Sequence, residues 1–382
     1  MPDAVIVCAV RTPFGRARKG RLIDVRADDL AALAIRGAMA RLPGLDPALV
    51  EDVILGCAFP EGEQGFNLAR PVAALAGIPN SAGGVTVNRF CASALQALNM
   101  AAQAIGQGVC DVVVAAGVES MTRVPMGGFN PSYHPKLAEP ASGYPCAYIP
   151  MGMTAENVAE RYGVSRTDQD AFSLRSHQRA IAAQDLGKFA EVLSITLPDG
   201  AVFERDEGPR RDTSAERLAS LEPAFLQGGT VTAGNSSPLT DGATAAVLMS
   251  AERARDLGLI PLARVVAMAL AGVDPEVMGI GPVPATKKAL ARAGMSMSDI
   301  DAVHLNEAFA SQSVAVQREL EIADDRLNIH GGAIAIGHPL GCSGIRLIAQ
   351  LLSELQAVDG TIGLATLCVG GGQGVATIIE RL

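Results

Sequence analysis

The sequence predicts an α/β protein of layered sheets and helices, interrupted by one loop-rich insertion. Apolar runs of strand length alternate with Ala-rich stretches of helical spacing. Between about Ser120 and Ser237 the composition shifts to Pro, Gly and polar residues. A pattern in the first part of the chain returns near its end. The 382 residues exceed one comfortable core, so two or three domains are expected.

Taken in order, Ala4 to Val10 is a near-continuous apolar run and reads as a fully buried strand. Asp28 to Arg41 has helical spacing, with acidic residues in its first turn where they complement the helix dipole. Val53 to Cys57 is a short strand, Ala92 to Gly106 a helix, and Val112 to Ala116 a strand of the parallel, doubly buried type. The insertion holds Pro125, Gly127, Gly128, Pro131, Pro135, Pro140, Gly143, Pro145 and Pro150, and two amphipathic helices, Thr154 to Tyr162 and Asp168 to Leu186. After Asp241 the strand–helix style resumes. The repeat pairs Cys91-Ala92-Ser93-Ala94, a helix and the strand Asp111 to Ala116 with Cys342-Ser343-Gly344, a helix and the strand Thr361 to Thr366.

Composition excludes several functions. With 49% hydrophobic and 19% charged residues the chain is not disordered. A net charge of −9 repels phosphate backbones, so no nucleic-acid partner is expected, and an anionic substrate needs a local basic patch. The seven cysteines (Cys8, Cys57, Cys91, Cys110, Cys146, Cys342 and Cys368) form no C-x-x-C pair, which argues against a disulfide framework or zinc site. His330, His338 and Cys342 lack ligand spacing, so no metal is expected. The longest apolar stretch, Ala92 to Val118, is broken by polar residues, so no membrane insertion is expected. Met1 to Val10 lacks the features of a signal peptide, and the final Glu380-Arg381-Leu382 is not a peroxisomal address; a cytoplasmic protein is expected.

Four segments hold residues suited to chemistry. Cys91 follows a strand-like run and opens a helix, where free N–H groups and the dipole favour thiolate; the same position also suits a small buried hydrophobe. His338 sits among glycines in Gly337-His338-Pro339 and is a candidate general base, or a surface turn residue. Cys368 precedes Gly370-Gly371-Gly372, whose N–H groups suit an oxyanion hole; a glycine hairpin explains the same run. Asn306-Glu307-Ala308-Phe309 follows a short strand: Asn306 suits a water or an oxyanion, Glu307 suits orienting a histidine, and Asn also suits a helix cap.

Together these segments resemble the thiolase family. The resemblance runs nearly end to end: Arg11-Thr12-Pro13-Phe14-Gly15, the Cys91 segment, Gly117-Val118-Glu119-Ser120-Met121, Met151-Gly152-Met153-Thr154-Ala155-Glu156-Asn157, Thr232-Ala233-Gly234-Asn235-Ser236-Ser237, Asn306-Glu307-Ala308-Phe309, the His338 segment and Cys368. It implies two similar βαβαβαββ halves, layered α-β-α-β-α, with an inserted loop domain. The implied divisions are residues 1–119 with 240–261, then 120–239, then 262–382. It implies ping-pong acyl transfer, with Cys91 as nucleophile, His338 as base and Cys368 as the acid that protonates the departing enolate. Two oxyanion holes are implied: His338 with a water on Asn306, and the N–H groups of Cys91 and Gly370.

Coenzyme A is implied as co-substrate, with acyl-CoA substrates. The matching positions are Ser237 at the pantetheine, Ala233, Phe309, Met151 and Met278 along the tunnel, and Arg210 at the nucleotide end. A homodimer or homotetramer is implied. Pro150 stands where biosynthetic acetoacetyl-CoA thiolases typically have His; with Pro60 to Gly65 it resembles the degradative branch of fatty-acid β-oxidation. An acetoacetyl-CoA thiolase is the nearest alternative. A ketoacyl synthase would lack Cys368, and a non-catalytic scaffold would be expected to lose one of Cys91, His338 and Cys368.

Overall fold

A computed structural model describes residues 3–138 and 147–382. Cys146, and Pro140, Gly143 and Pro145 of the insertion, lie outside the described residues. In chain order the first half runs β1 (Ala4–Arg11), β2 (Gly15–Arg16), α1 (Ala27–Ala40), β3 (Asp52–Gly56), α2 (Ala69–Leu75), β4 (Val85–Val87), α3 (Ser93–Gly106) and β5 (Val112–Ser120). The insertion carries α4 (Pro135–Ala138), α5 (Met151–Arg161), α6 (Arg166–Asp185), β6 (Ile195–Thr196), β7 (Val202–Phe203) and α7 (Ala215–Ala219). β8 (Thr240–Ser250) and α8 (Ala251–Asp256) close the first half. The second half runs β9 (Ala263–Gly272), α9 (Pro282–Ala293), β10 (Ala302–Leu305), α10 (Ala310–Glu319), α11 (Ala333–Ile336), α12 (Ser343–Ala357), β11 (Ile362–Val369) and β12 (Gln373–Arg381).

The halves repeat one wiring. β3 pairs parallel with β5, β5 antiparallel with β8, and β8 antiparallel with β1. In the second half β10 pairs parallel with β11, β11 antiparallel with β12, and β12 antiparallel with β9. The two halves' strands join into one ten-stranded sheet where, among the described residues, Val5 and Ile6 of β1 meet Arg264 and Ala263 of β9. The sheet is therefore mixed: β5 reads as a parallel strand in sequence, yet its second neighbour, β8, is antiparallel and arrives only after the insertion.

Alternate residues of β5 enter different cores, which is why the strand is apolar throughout. Val112, Val114 and Ala116 pack with Leu30, Ile35 and Val72 of α1 and α2. Val113 and Ala115 pack with Leu95 and Leu98 of α3 and with Ile345 and Ile348 of α12. The far face of the second sheet, through Leu364 and Ile378, packs against Ala289 and Leu290 of α9. The result is helix, sheet, helix, sheet, helix, with α3 and α12 sharing the central layer. α9 illustrates the local signals: Pro282 opens it and Gly294, at φ 67°, ends it in the left-handed conformation.

A buried ion-pair cluster ties the insertion to β1. The Arg11 guanidinium binds Asp206 through two hydrogen bonds of 2.6 and 2.8 Å and Glu191 through one of 3.1 Å. Asp206 also accepts the Phe14 N–H at 2.8 Å. Burial works against the Arg11 charge, but the two carboxylates more than offset it and hold its proton affinity above the ordinary guanidinium value. Among the described residues no helix is long and apolar enough to cross a membrane.

Candidate active site

Helices α3 and α12 open side by side. A Cβ on Gly344, in the first turn of α12, would lie 2.1 Å from the Leu95 nitrogen of α3, so only glycine permits this approach. Gly117 of β5 is pressed likewise: a Cβ there would meet the Ala94 Cβ and the Gly341 carbonyl, each at 2.6 Å. These contacts bring the turn carrying Cys91 against the loop carrying His338.

Cys91 sits in a single 3-10 turn, Phe90–Ala92, entered through Phe90 at φ 41°. That positive φ on a bulky residue is strained and sets the direction of the turn. The Cys91 sulfur receives the N–H of Gly370 and its own N–H, and both favour thiolate. Burial outweighs them and pushes the thiol up to about 11. The thiolate expected from the helix start is therefore not the resting form, because desolvation exceeds what two N–H groups return. Gly370 occupies the turn between β11 and β12, so the glycine run is a hairpin and also a source of N–H groups.

His338 is held from two sides. Its backbone N–H donates to Thr240 Oγ1 at 3.1 Å. The Ser343 hydroxyl donates to the Pro339 carbonyl at 3.0 Å, so at the 2.6 Å contact between His338 Nδ1 and Ser343 Oγ the ring N–H is the donor. Nε2 is left with a lone pair, and the Asn306 side-chain amide faces it at 3.3 Å. Burial, helped by the nearby Arg346 charge, lowers His338 to about 3. It is a neutral imidazole at neutral pH, with the basic nitrogen on the side of Asn306.

Cys368 lies within β11, two residues beyond the strand end expected from sequence at Thr366. It is wholly buried, and burial, then the neighbouring Cys91, raise its pKa well above the ordinary thiol value. Met151, Met278 and Phe309 share its apolar cluster, so these three predicted tunnel positions converge beside it. Farther out, Arg210 lines a cavity of about 270 Å³ that also receives Arg16, Arg217 and Ser236, and Ala233, expected along the tunnel, lines this cavity and not the apolar cluster. Ser237 bridges the two regions: its N–H donates to the Ala308 carbonyl at 3.0 Å, next to Phe309. Arg210 carries no ion pair among the described residues and is exposed, and its backbone N–H donates to His177 Nδ1 at 3.2 Å.

Glu307 does not orient a histidine. Its carboxylate accepts from Ser176 at 2.6 Å, Asn328 at 2.8 Å and the Ile334 N–H at 3.1 Å, and so pins the glycine loop ahead of His338. Nor is Asn306 a helix cap, since α10 starts beyond it at Ala310. No role is legible in sequence for Ser343 of the repeat, for Thr240 or for Glu119. The Glu119 carboxylate is buried and accepts N–H groups from Ala58 and Gly341, both at 2.8 Å, and the Gln64 amide at 2.9 Å. It joins the loop after β3 to the loop of His338. Arg346 had a legible signal: a charged residue inside an apolar helix must find partners. Among the described residues no cluster of His, Cys, Asp or Glu is arranged to hold a metal ion.

With the thiol near 11 and the imidazole near 3, no thiolate–imidazolium pair is populated at rest. Alkylation of Cys91 by iodoacetamide is expected to quicken about tenfold per pH unit from pH 7 to 9, following the free thiolate. Peptide-resolved labelling that is flat across this range would mean a preformed ion pair and contradict the electrostatics described here.

Residues 4–252 match the family model "Thiolase, N-terminal domain", and residues 259–381 match "Thiolase, C-terminal domain". A 3-ketoacyl-CoA thiolase of Bacillus subtilis is 47% identical over a 393-residue alignment covering all of both chains. One of Shewanella baltica is 49% identical over 394 residues, again covering both fully. Among solved structures, the Bacillus anthracis acetyl-CoA acetyltransferase superposes with a TM-score of 0.91 at 41% identity, covering 100% of this chain and 99% of that one. Human mitochondrial 3-ketoacyl-CoA thiolase gives 0.91 at 38% identity with the same coverage. Matched by both family models along almost its whole length, the chain belongs to the thiolase family.

Proposed function

We propose that the protein cleaves 3-ketoacyl-CoA with free CoA, giving acetyl-CoA and a shortened acyl-CoA, by ping-pong transfer through Cys91. The observation that carries this reading is two buried thiols, Cys91 and Cys368, with Cys91 acting electrostatically on Cys368, and a neutral His338 presenting a basic Nε2. His338 takes the Cys91 proton as the sulfur attacks the keto carbon. The resulting oxyanion is held by N–H donors. The bond between the second and third acyl carbons then breaks, and Cys368 protonates the departing enolate carbon. The Cys368 thiolate takes the proton of incoming CoA, whose sulfur attacks the acyl-Cys91 thioester. Cys91 leaves as thiolate and recovers its proton from His338, so every proton is returned.

The same reading places N–H groups of Cys91 and Gly370 at one oxyanion, and His338 with an Asn306-bound water at the other. The cavity bearing Arg210 and Ala233 receives the nucleotide end of CoA, Ser237 the pantetheine, and Met151, Met278 and Phe309 the reactive end. Arg210, with Arg16 and Arg217 beside it, supplies a local positive charge in an acidic chain. CoA is the only cofactor-like group in this scheme. We read the chain as two halves, 1–119 with 240–261 and 262–382, with 120–239 inserted, and as a cytoplasmic homodimer or homotetramer. A second reading, acetoacetyl-CoA thiolase with C4 preference, is favoured by the likeness to the B. anthracis acetyl-CoA acetyltransferase. Pro150, at the N-terminal boundary of α5, supports the longer-chain reading.

Comparing kcat/KM for CoA-dependent cleavage of acetoacetyl-CoA and 3-ketooctanoyl-CoA separates the two. The expected result is about a tenfold preference for the longer chain, near what a few buried methylenes supply. A preference for acetoacetyl-CoA moves the enzyme to the C4 branch, and no cleavage of either rejects the function.

A further inference from the structure

Helix α12 is apolar on most of its surface but carries one polar line. Ser343, Arg346, Gln350 and Glu354 follow one another at helical spacing, and all four are wholly buried. Ser343 holds His338. Arg346 donates to Asn306 Oδ1 at 2.8 Å, to His304 Nε2 at 2.8 Å and to Gln350 Oε1 at 2.7 Å. Since His304 Nε2 accepts, its Nδ1–H donates to Glu354 at 3.0 Å, and the second Glu354 oxygen accepts the His330 N–H at 2.9 Å.

We propose that Arg346 is a positioning residue for the reaction, locking the Asn306 amide so that its N–H, and never its oxygen, faces His338 Nε2. This rests on the thiolase reading above. An arginine can only donate, so its contact with Asn306 Oδ1 fixes which end of the amide points away. A flipped amide would set donor against donor at Arg346 and acceptor against acceptor at His338. The Ser343 bond leaves Nε2 as the acceptor, so both ends of the chain of bonds require the same polarity.

The charge of Arg346 has a second effect on the same ring. It is the charged group acting on His338, and it adds to burial in keeping the imidazole unprotonated. Around Arg346 itself lie Glu354 on its own helix, Glu307 after β10, Arg11 at the end of β1 and Cys342 just before α12, besides His304. Glu307 and Glu354 favour the guanidinium charge and Arg11 works against it.

The test uses the full chain with R346Q and R346K, each checked for an unchanged circular-dichroism spectrum. R346Q removes the charge: kcat is expected to fall about 10²-fold, as for a small misplacement of a reacting group, with KM little changed. The acid limb of kcat/KM should move to higher pH. R346K keeps the charge but not the fork: it should lose rate with the acid limb unmoved. In a double-mutant cycle, Asn306→Ala with either variant should be no slower than Asn306→Ala alone.

A folded R346Q that keeps kcat within about threefold, or losses that multiply in the cycle, would overturn the proposal. So would a raised KM with both pH limbs in place. If R346Q does not fold, R346K and its cycle with Asn306→Ala carry the decision. Nitrogen NMR of labelled histidine needs no substrate and reads the His338 tautomer directly. If the parent enzyme cleaves no 3-ketoacyl-CoA, the proposed function fails, and the tautomer and titration of His338 in R346Q still decide the role of Arg346.

Discussion

Cys91→Ala is expected to lower thiolytic turnover by a factor on the order of 10⁵–10⁶, while acyl-CoA still binds. The cavity with Arg210 and the apolar cluster with Met151, Met278 and Phe309 remain intact, so binding persists without covalent capture. Cys368→Ala should behave differently. Transfer of an acyl group from acyl-CoA to Cys91 releases a sulfur anion and needs no proton on carbon. The variant should therefore still take up labelled acyl groups at Cys91, while cleavage of a 3-ketoacyl-CoA falls by about 10³-fold or more, the scale of a lost proton carrier. Mass spectrometry of the Cys91 peptide, beside steady-state cleavage assays, reads both. Labelled acyl groups on Cys368, or a Cys91→Ala enzyme with appreciable turnover, would reverse the assignment of nucleophile and acid.

The second large effect concerns stability. Asp206→Ala should lower the free energy of unfolding by about 3–5 kcal/mol, because it leaves a fully buried guanidinium with Glu191 as its one remaining carboxylate partner. Asp206 supplies two of the three ion-pair hydrogen bonds to Arg11 and accepts the Phe14 N–H as well. The urea midpoint should fall accordingly. Replacing Arg11, Asp206 and Glu191 together by well-packed apolar residues should restore most of the loss, since no buried charge is then left without a partner. If this triple variant is less stable than Asp206→Ala, Arg11 contributes mainly through its stacking on Phe14 and Phe189, at 5.0 and 5.4 Å from the ring centres.

Much of this fold is legible in the sequence because its strands are buried on both faces. Ala4–Arg11 and Val112–Ser120 are apolar without alternation, and such runs announce themselves. The resemblance of the two halves was visible at the starts of α3 and α12, where cysteine, serine and small residues recur. Strand direction was less accessible: the antiparallel partner of β5 comes from beyond the insertion, and no local pattern encodes it.

The chemistry-bearing side chains stood out by type and by their glycine surroundings. Their protonation did not. The state of Cys91 is decided by burial against the N–H groups of Gly370 and Cys91 itself, one of which comes from the opposite end of the chain. The role of Arg346 is not local, because its partners Asn306 and His304 lie on another strand and its following loop, whereas Ser343 meets His338 within its own loop.

The Glu119 carboxylate has a consequence for how the enzyme uses substrate binding. It fastens the loops after β3 and before α12 with N–H bonds from Ala58 and Gly341, and burial raises its proton affinity against those donors. Loops from opposite halves are thereby fixed relative to each other before any ligand arrives. The dipoles around the two thiols have little left to reorient as charge develops on the reacting carbonyl, so reorganisation energy is met during folding and not in each catalytic cycle. On the proposed reading, affinity for CoA can then go into alignment of the thioester, with these two loops already in place.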